Sequence, residues 1–380
     1  MDILQFNEEH NMFRDSLKKF LAKEVIPHIE EWEEAMIVPR DIWKKMGEQG
    51  FLCMNVPEEY GGMAGDLLFS VVLWEEMVKT NFTGLQAALH SDVVVPYIVS
   101  FGSEEIKKKY LPGCVSGDII TAVSMTEPNA GSDLAAIRTT AVEDGDDVII
   151  NGQKTFVSNG ILSDLVIVAA KDPSVQNPHK AMDLYVVEAG TPGFSKGRQL
   201  KKAGWHSQDT SELYFEDCRV PKANRLGQKG GGFIMLMQKL QQERLGCAFF
   251  GQCMAEFSLD VTIKYCKERM MFGKPLSSFQ HTQFEIAEMA ADIKIGRAFI
   301  EKCIVEHMEG KNIVTEVSMA KFWLTEMACR VADRCLQLHG GYGYCEEYPI
   351  ARAWRDSRIL RIFAGANEVM RVIVAANMGL

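Results

Sequence analysis

Apolar positions recur at helical spacing over two long parts of the chain and at strand spacing in the part between them. In the first part Asn7 caps a helix carrying Phe13, Leu17, Phe20 and Val25 and ended by Pro27, and Pro39 opens a shorter helix closed at Gly50. A glycine-rich loop over 55–66 leads to long helices at about 67–79 and 83–101 and a capped one over 103–110. Between about 118 and 227 the period shortens to short β-rich runs at 119–124, 138–142, 148–150, 154–157, 165–169, 184–187 and 212–215. Asp144-Gly145, Asn151-Gly152 and Pro192-Gly193 stand between them as turns. Long helical patterns then return at roughly 232–270, 280–310, 314–339 and 366–377, which suits an up-and-down bundle. The expected fold is therefore α+β: an N-terminal helical domain over 1–117, a middle antiparallel β domain over 118–229 and a C-terminal four-helix bundle over 230–380.

Two positions break the apolar stripes. On the first bundle helix Leu236, Leu240, Cys247, Phe250, Met254, Phe257 and Val261 form one face, and the position completing it is Glu243. An ionised carboxylate is costly to bury, so such a group has a raised pKa, a partner, or a cavity beside it, which is the profile of a general base. A boundary glutamate paired with Lys239 one turn earlier is the plainer alternative. On the 83–101 helix Leu85, Leu89 and Pro96 share a stripe with Asp92, which is either a second functional carboxylate or an acid satisfied by Ser91 or His90. Pro96 cannot donate to the Asp92 carbonyl, so a kink and free backbone polarity are expected there. No Arg or Lys lies between Asn81 and Pro96.

Composition narrows the classes. A chain of 380 residues, 47% hydrophobic, buries a large core, and its net charge of −10 with no basic cluster beyond Lys107-Lys108-Lys109 argues against nucleic acid or an anionic membrane as partner. No 18-residue apolar run occurs and the chain opens Met1-Asp2-Ile3 without a cationic, then apolar leader, so the expected location is cytoplasmic, with no membrane span. The ten cysteines are scattered without a C-x-x-C pair and read as reduced thiols, and no histidine spacing suggests a metal.

Five stretches carry chemistry. Thr126-Glu127-Pro128-Asn129-Ala130-Gly131-Ser132-Asp133 follows a strand and offers backbone donors and hydroxyls to a flat or phosphorylated ligand. Asn151-Gly152-Gln153-Lys154 with Ser158-Asn159-Gly160 reads as a hairpin presenting Phe156 and Ser158 on one face, or simply placing Phe156 in the core. Arg269-Met270-Met271-Phe272-Gly273-Lys274 ends the long helix. Gln337-Leu338-His339-Gly340-Gly341-Tyr342-Gly343 follows a helix, so it is not a dinucleotide fingerprint. Gly365-Ala366-Asn367-Glu368 precedes the last helix. In this order and over nearly the whole chain, these stretches resemble the acyl-CoA dehydrogenases, whose fold has the same three domains and is usually assembled as a homotetramer.

The resemblance implies FAD as cofactor and an acyl-CoA thioester as substrate, with an electron-transfer flavoprotein as acceptor. It implies Met125 and Thr126 at the flavin's pyrimidine side, Phe156 against the ring face, Ser158 near the N5 edge, and Ser132 at flavin phosphate or coenzyme A. Arg269, Phe272, Gln280, Gln337 and Gly341 would meet the adenosine end of a neighbouring subunit's cofactor, with Glu368 near the phosphates. Ser132, Asp92 and Arg244 are the expected substrate contacts. Family hydroxyl positions are replaced by Met271 and Ala366. The family removes a proton alpha to the thioester and passes a hydride from the beta carbon to flavin N5, stabilising the enolate by a ribityl hydroxyl and a backbone N–H. Most members carry the base in a Tyr-Glu-Gly-Thr stretch, where this chain reads Phe363-Ala364-Gly365-Ala366. Ala364 keeps the N–H but has no carboxyl. The long-chain and isovaleryl types similarly carry the base on the bundle helix in a Glu-Arg-Leu context, matched by Glu243-Arg244-Leu245, with the long-chain type closest. Relatives acting on alicyclic rings use an aspartate in the acyl cavity, which keeps Asp92 and a cyclohexene-carboxyl thioester as an alternative. The same fold also serves oxygen-reactive flavin oxidases and monooxygenases, and a flavin-free binding protein could be built on it as well.

Overall fold

Asn7 does cap the first helix: its side chain accepts the His10 N–H while the His10 ring accepts the Asn7 N–H, so two of the end's free donors are satisfied. The computed structural model describes residues 3–380; Met1 and Asp2, read above for a leader, lie outside the described residues. Helix α1 (Glu8–Phe20) runs through a π-turn and a short 3-10 turn at Pro27 into α2 (Ile29–Ala35), and α3 (Arg40–Glu48) starts after Pro39. Asp66 caps α4 (Leu67–Lys79), which is buried along most of its length. The helix expected from residue 83 starts four residues later, at 87, because Thr83 is drawn off to bond Asp356 and Gly84 packs against Ser207. It opens with a π-turn over Leu89–Val94 and becomes α5 (Val95–Phe101). Ser103 caps α6 (Glu104–Ser116), which continues past Tyr110 and through Pro112.

The middle region holds β1 (Thr121–Ser124), β2 (Thr140–Asp144), β3 (Asp147–Ser158), β4 (Leu165–Lys171), β5 (Met182–Glu188), β6 (Phe194–Gln199), β7 (Thr210–Pro221) and β8 (Arg225–Leu226), with a short α7 (Pro178–Ala181) before β5. Their order is β6-β7-β3-β2-β4-β5-β8, with β1 beside β4. Most pairs are antiparallel, as expected, but β1 and β2 both pair with β4 in parallel, so the sheet is mixed. Asn151-Gly152 is not the turn its dipeptide suggests. It lies inside the continuous strand β3 as a bulge, and the hairpin turn is at Asp144–Asp147. A side chain at Gly152 would strike Thr139, whereas Asn151 exchanges hydrogen bonds with Asp217 across the bulge (2.7 and 3.1 Å). Tertiary pairing with β7 thus overrides the local turn signal.

The last region is α8 (Gly232–Glu268), a small hairpin β9 (Met270–Met271) and β10 (Lys274–Pro275), α9 (Gln280–Met308), α10 (Val314–His339), an unforeseen short α11 (Pro349–Ser357) and α12 (Asn367–Asn377). Helices α8 and α10 pack along one another, and α4 joins their apolar core through Leu67, Leu68, Val71, Trp74 and Val78. That junction sets the middle of α8 against α4 and α5. Among the described residues no helix is long and apolar enough to cross a membrane.

Candidate active site

Glu243 lies on α8 facing α5. Its Oε1 accepts a hydrogen bond from Tyr97 Oη at 2.8 Å, and its Oε2 has no hydrogen-bond partner among the described residues. Burial pushes the carboxyl up from 4.5 to about 7, against the Tyr97 hydrogen bond and the charges of Arg244 and Lys239. Lys239 is not an ion-pair partner; its ammonium donates to Ser100 Oγ at 2.6 Å and lies over the Phe101 ring. Glu243 as a whole residue is half-buried.

Pro96 explains how α5 reaches this residue. With no N–H at Pro96 the Asp92 carbonyl lacks its helical donor, the chain opens into the π-turn, and Gln242 Nε2 takes the carbonyl at 2.9 Å. Gln242 and Glu243 are thereby joined to the same helix on either side of the break, the first through Asp92 O and the second through Tyr97 Oη. Gln241 fixes the other side of α8 by bonding His307, the Lys311 carbonyl and the Ile313 N–H.

Asp92 is buried and satisfied, but not by the expected neighbours. Ser70 Oγ donates to its Oδ1 at 2.6 Å and Trp74 Nε1 to its Oδ2 at 2.8 Å, both from α4. Ser91 is occupied by the Cys53 N–H, and His90, which burial pushes down to about 4, bonds Thr121 and the Cys114 carbonyl. Burial raises Asp92 to about 6 against its two hydrogen bonds.

Ala364 and Gly365 form the turn before α12, both in the left-handed region (φ +53° and +92°). Arg244, buried beneath, reaches this turn: its Nε lies 3.8 Å from where a Gly365 side chain would begin. Trp205 packs against Phe250 and Phe363 on the turn's flank.

A second group of expected residues sits on the β domain. Lys154 is fully buried and pairs with Glu127 (2.8 Å) while donating to the Met125 carbonyl (3.2 Å); Thr155 N–H donates to Thr126 O (2.9 Å). The strand then turns out at Phe156, whose φ is +56° and whose ring is 67% exposed, so Phe156 is not a core residue. Met125, Thr126 and Ser158 are half-buried, and Ser132 is exposed. Glu127 also accepts the N–H groups of Arg138 and Thr139, which anchors the whole 126–133 loop.

The third group lies at one end of the bundle. Arg269 stacks over Tyr342, and Phe272, 89% exposed with φ +47°, projects from the β9–β10 hairpin; Gln280, Gln337 and Gly341 are exposed. No hydrogen bond or ring contact among the described residues joins this group to Met125, Thr126 or Phe156. Glu368 is exposed in the first turn of α12.

The sequence matches three domain families in order: acyl-CoA dehydrogenase N-terminal domain over residues 7–118, middle domain over 122–218 and C-terminal domain over 230–379. The chain belongs to the acyl-CoA dehydrogenase family. It is similar to the long-chain specific acyl-CoA dehydrogenase of Sus scrofa, 46% identical over 97% of this chain and 86% of that protein. Among solved structures it is similar to an acyl-CoA dehydrogenase from Geobacillus kaustophilus, 55% identical with TM-score 0.97 over 99% of both chains. A glutaryl-CoA dehydrogenase from Mycobacterium smegmatis in complex with FADH2 superposes with TM-score 0.90 at 26% identity, covering 98% of this chain and 95% of that one. The protein is accordingly an oxidoreductase acting on CH–CH bonds of acyl-CoA thioesters.

For an acyl-CoA dehydrogenase, three residues here escaped the reading of the sequence. Tyr97 and Gln242 tie α5 and the Asp92 carbonyl to α8 at Glu243, and Lys321 sits under the Ala364–Gly365 turn. A tyrosine directly after Pro96 on a buried stripe was the one available signal, since a buried phenol needs a hydrogen-bond partner.

Proposed function

We propose that the protein dehydrogenates a fatty acyl-CoA, long-chain in type, with Glu243 as the base that removes the α proton. The observation carrying this reading is the contrast between the two inward carboxyls. Glu243 has one oxygen free and a pKa near neutrality, where a general base works best, whereas both oxygens of Asp92 are held by α4. Tyr97 holds one oxygen of Glu243 and leaves the other without a hydrogen-bond partner among the described residues. Ala364 contributes a backbone N–H for the thioester oxygen and leaves the family's commoner base position without a carboxyl.

FAD suits the residues present. An exposed aromatic in left-handed backbone, next to a loop hung from a buried Lys154–Glu127 pair, is a ring platform rather than a core packing element. Bound FAD supplies the acceptor for the β-hydride. Phe156 would lie on the ring face, Met125 and Thr126 at its pyrimidine side, Ser158 near N5, and Ser132 at phosphate or coenzyme A. In a homotetramer Arg269, Phe272, Gln280, Gln337 and Gly341 would hold the adenosine end of a neighbour's cofactor, with Glu368 near the phosphates. Electron-transfer flavoprotein is the proposed acceptor. The long-chain assignment is supported by the 46% identity to the Sus scrofa enzyme.

Anaerobic flavin bleaching with straight, branched and cyclic acyl-CoA thioesters tests this. Glu243→Gln is expected to slow bleaching by roughly 10²–10⁴-fold. Asp92→Asn should bleach with little loss. Full bleaching by Glu243→Gln, with loss in Asp92→Asn on a cyclic thioester, would transfer the role to Asp92.

A further inference from the structure

Two cations lie beneath the Ala364–Gly365 turn with no carboxylate in ion-pair contact among the described residues; the charges of Glu368 and Glu326 act on Lys321 only from farther off. Lys321, on α10, has no exposed surface, and among the described residues its ammonium meets only oxygens of uncharged groups: Gly365 O at 2.7 Å and Asn367 Oδ1 at 3.0 Å. Arg244 approaches the same turn from α8; it forms no ion pair among the described residues, and its buried Nε has no hydrogen-bond partner. The arrangement is built. Asn367 donates to the Phe322 carbonyl and to Thr325 Oγ1, and Thr325 donates back to the Lys321 carbonyl at 2.7 Å, so the amide oxygen is forced to face the ammonium.

Burying a cation against neutral acceptors is unfavourable, and a carboxylate at 367 would relieve it in the same space. An unrelieved cation is useful where negative charge forms only during reaction, because a fixed charge in a dry site stabilises that charge without reorganising. Gly365 is the residue both cations approach, and it directly follows the proposed N–H donor. The left-handed backbone at Ala364, a non-glycine residue, needs outside support to persist, and the following Gly365 carbonyl bonded to Lys321 provides it.

We propose that Lys321 is a positioning residue for this enzyme: it pins the Ala364–Gly365 turn from below and, together with Arg244, sets a positive field at the thioester oxygen. The inference rests on the reading of Glu243 as base and Ala364 N–H as donor. When the α proton passes to Glu243, the C–H electron pair moves onto the thioester oxygen, and this is the charge the two cations face.

The test uses the flavin-loaded enzyme with acetoacetyl-CoA and 3-oxododecanoyl-CoA, which enolise but have no β-hydride to lose. The pH midpoint of enolisation on the protein is read from the ultraviolet absorbance of the enolate. In the wild type the midpoint should fall below that of the free thioester. Lys321→Met should raise it by about one unit or more, a tenfold weaker acidification, and Lys321→Arg should restore most of it. Asn367→Asp keeps the side-chain volume, suits the first turn of α12, and should raise the midpoint likewise by pairing with Lys321. Equal midpoints in the wild type, Lys321→Met and Asn367→Asp, whatever their thermal stability, would overturn the proposal and leave Lys321 a structural residue. If neither thioester enolises more readily on the wild type than in solution, the reading of the site itself fails and takes this inference with it.

Discussion

Burial places Glu243 near neutral pH, and the sign of each contribution is fixed by its surroundings. Burial raises it to about 7 and the Tyr97 hydroxyl opposes that by favouring the carboxylate. Tyr97→Phe should therefore move the acidic limb of the kcat/KM profile to higher pH: several-fold slower near pH 7, nearly unchanged near pH 9. An unshifted limb would mean that Tyr97 packs without tuning. The same raised pKa has a stability consequence. Between 4.5 and about 7 the folded state holds a proton that the unfolded chain has lost, so this group's stabilisation is complete below 4.5 and lost as pH rises through 7. Glu243→Gln should match the wild type in urea at pH 4.5 and exceed it at pH 8, by roughly 3 kcal/mol at most for this partly accessible group.

At the scale of elements, the site depends on two departures from regular structure, each with a chemical cause. Pro96 removes one N–H from a buried helix, and the resulting π-turn hands the Asp92 carbonyl to Gln242 and brings Tyr97 to Glu243. The proline was legible in the sequence, and so was the free carbonyl; the identity of its new donor was not, because Gln242 is 150 residues away. On the β domain the bulge at Gly152 and the outward turn at Phe156 lie on either side of Lys154, whose pair with Glu127 ties β3 to the 126–133 loop. Burial lowers Lys154 to about 8 against the attraction of Glu127. Lys154→Met leaves Glu127 buried without its cation and should cost about 3–5 kcal/mol in denaturant unfolding. Adding Glu127→Gln to it should recover part of that loss. Recovery in the double variant, with FAD still held weakly, would separate loop geometry from bulk stability.

At the scale of the molecule, the bundle end that carries Arg269, Phe272, Gln280, Gln337 and Gly341 is exposed and separate from Glu243. Phe272, 89% exposed in left-handed backbone, contributes little to the fold of one chain. Phe272→Ser should leave the melting temperature of the folded chain nearly unchanged while lowering FAD retention on dilution. Sedimentation followed at both the protein and the flavin absorbance should show smaller species without flavin signal at concentrations where the wild type remains assembled. Identical sedimentation and retention would mean that the adenosine end is held within one subunit.

The sequence by itself determined the order of helical, β and helical regions, because periods of 3.6 and 2 are local properties of side-chain direction. It also marked Glu243 and Asp92, since a carboxylate on an apolar stripe is visible without knowing what it faces. It did not determine which of the two is free. That required α4, which supplies Ser70 and Trp74 to Asp92, and α5, which supplies one hydroxyl to Glu243. The Asn151-Gly152 signal failed for the same kind of reason: the dipeptide favours a turn locally, and pairing with β7 over the length of β3 outweighs it. Lys321 was invisible because its chemistry lies wholly in its partners. A lysine on a helix is ordinarily solvated, and only the packing of α10 under the Ala364–Gly365 turn takes it out of water and leaves it without an ion-pair partner among the described residues.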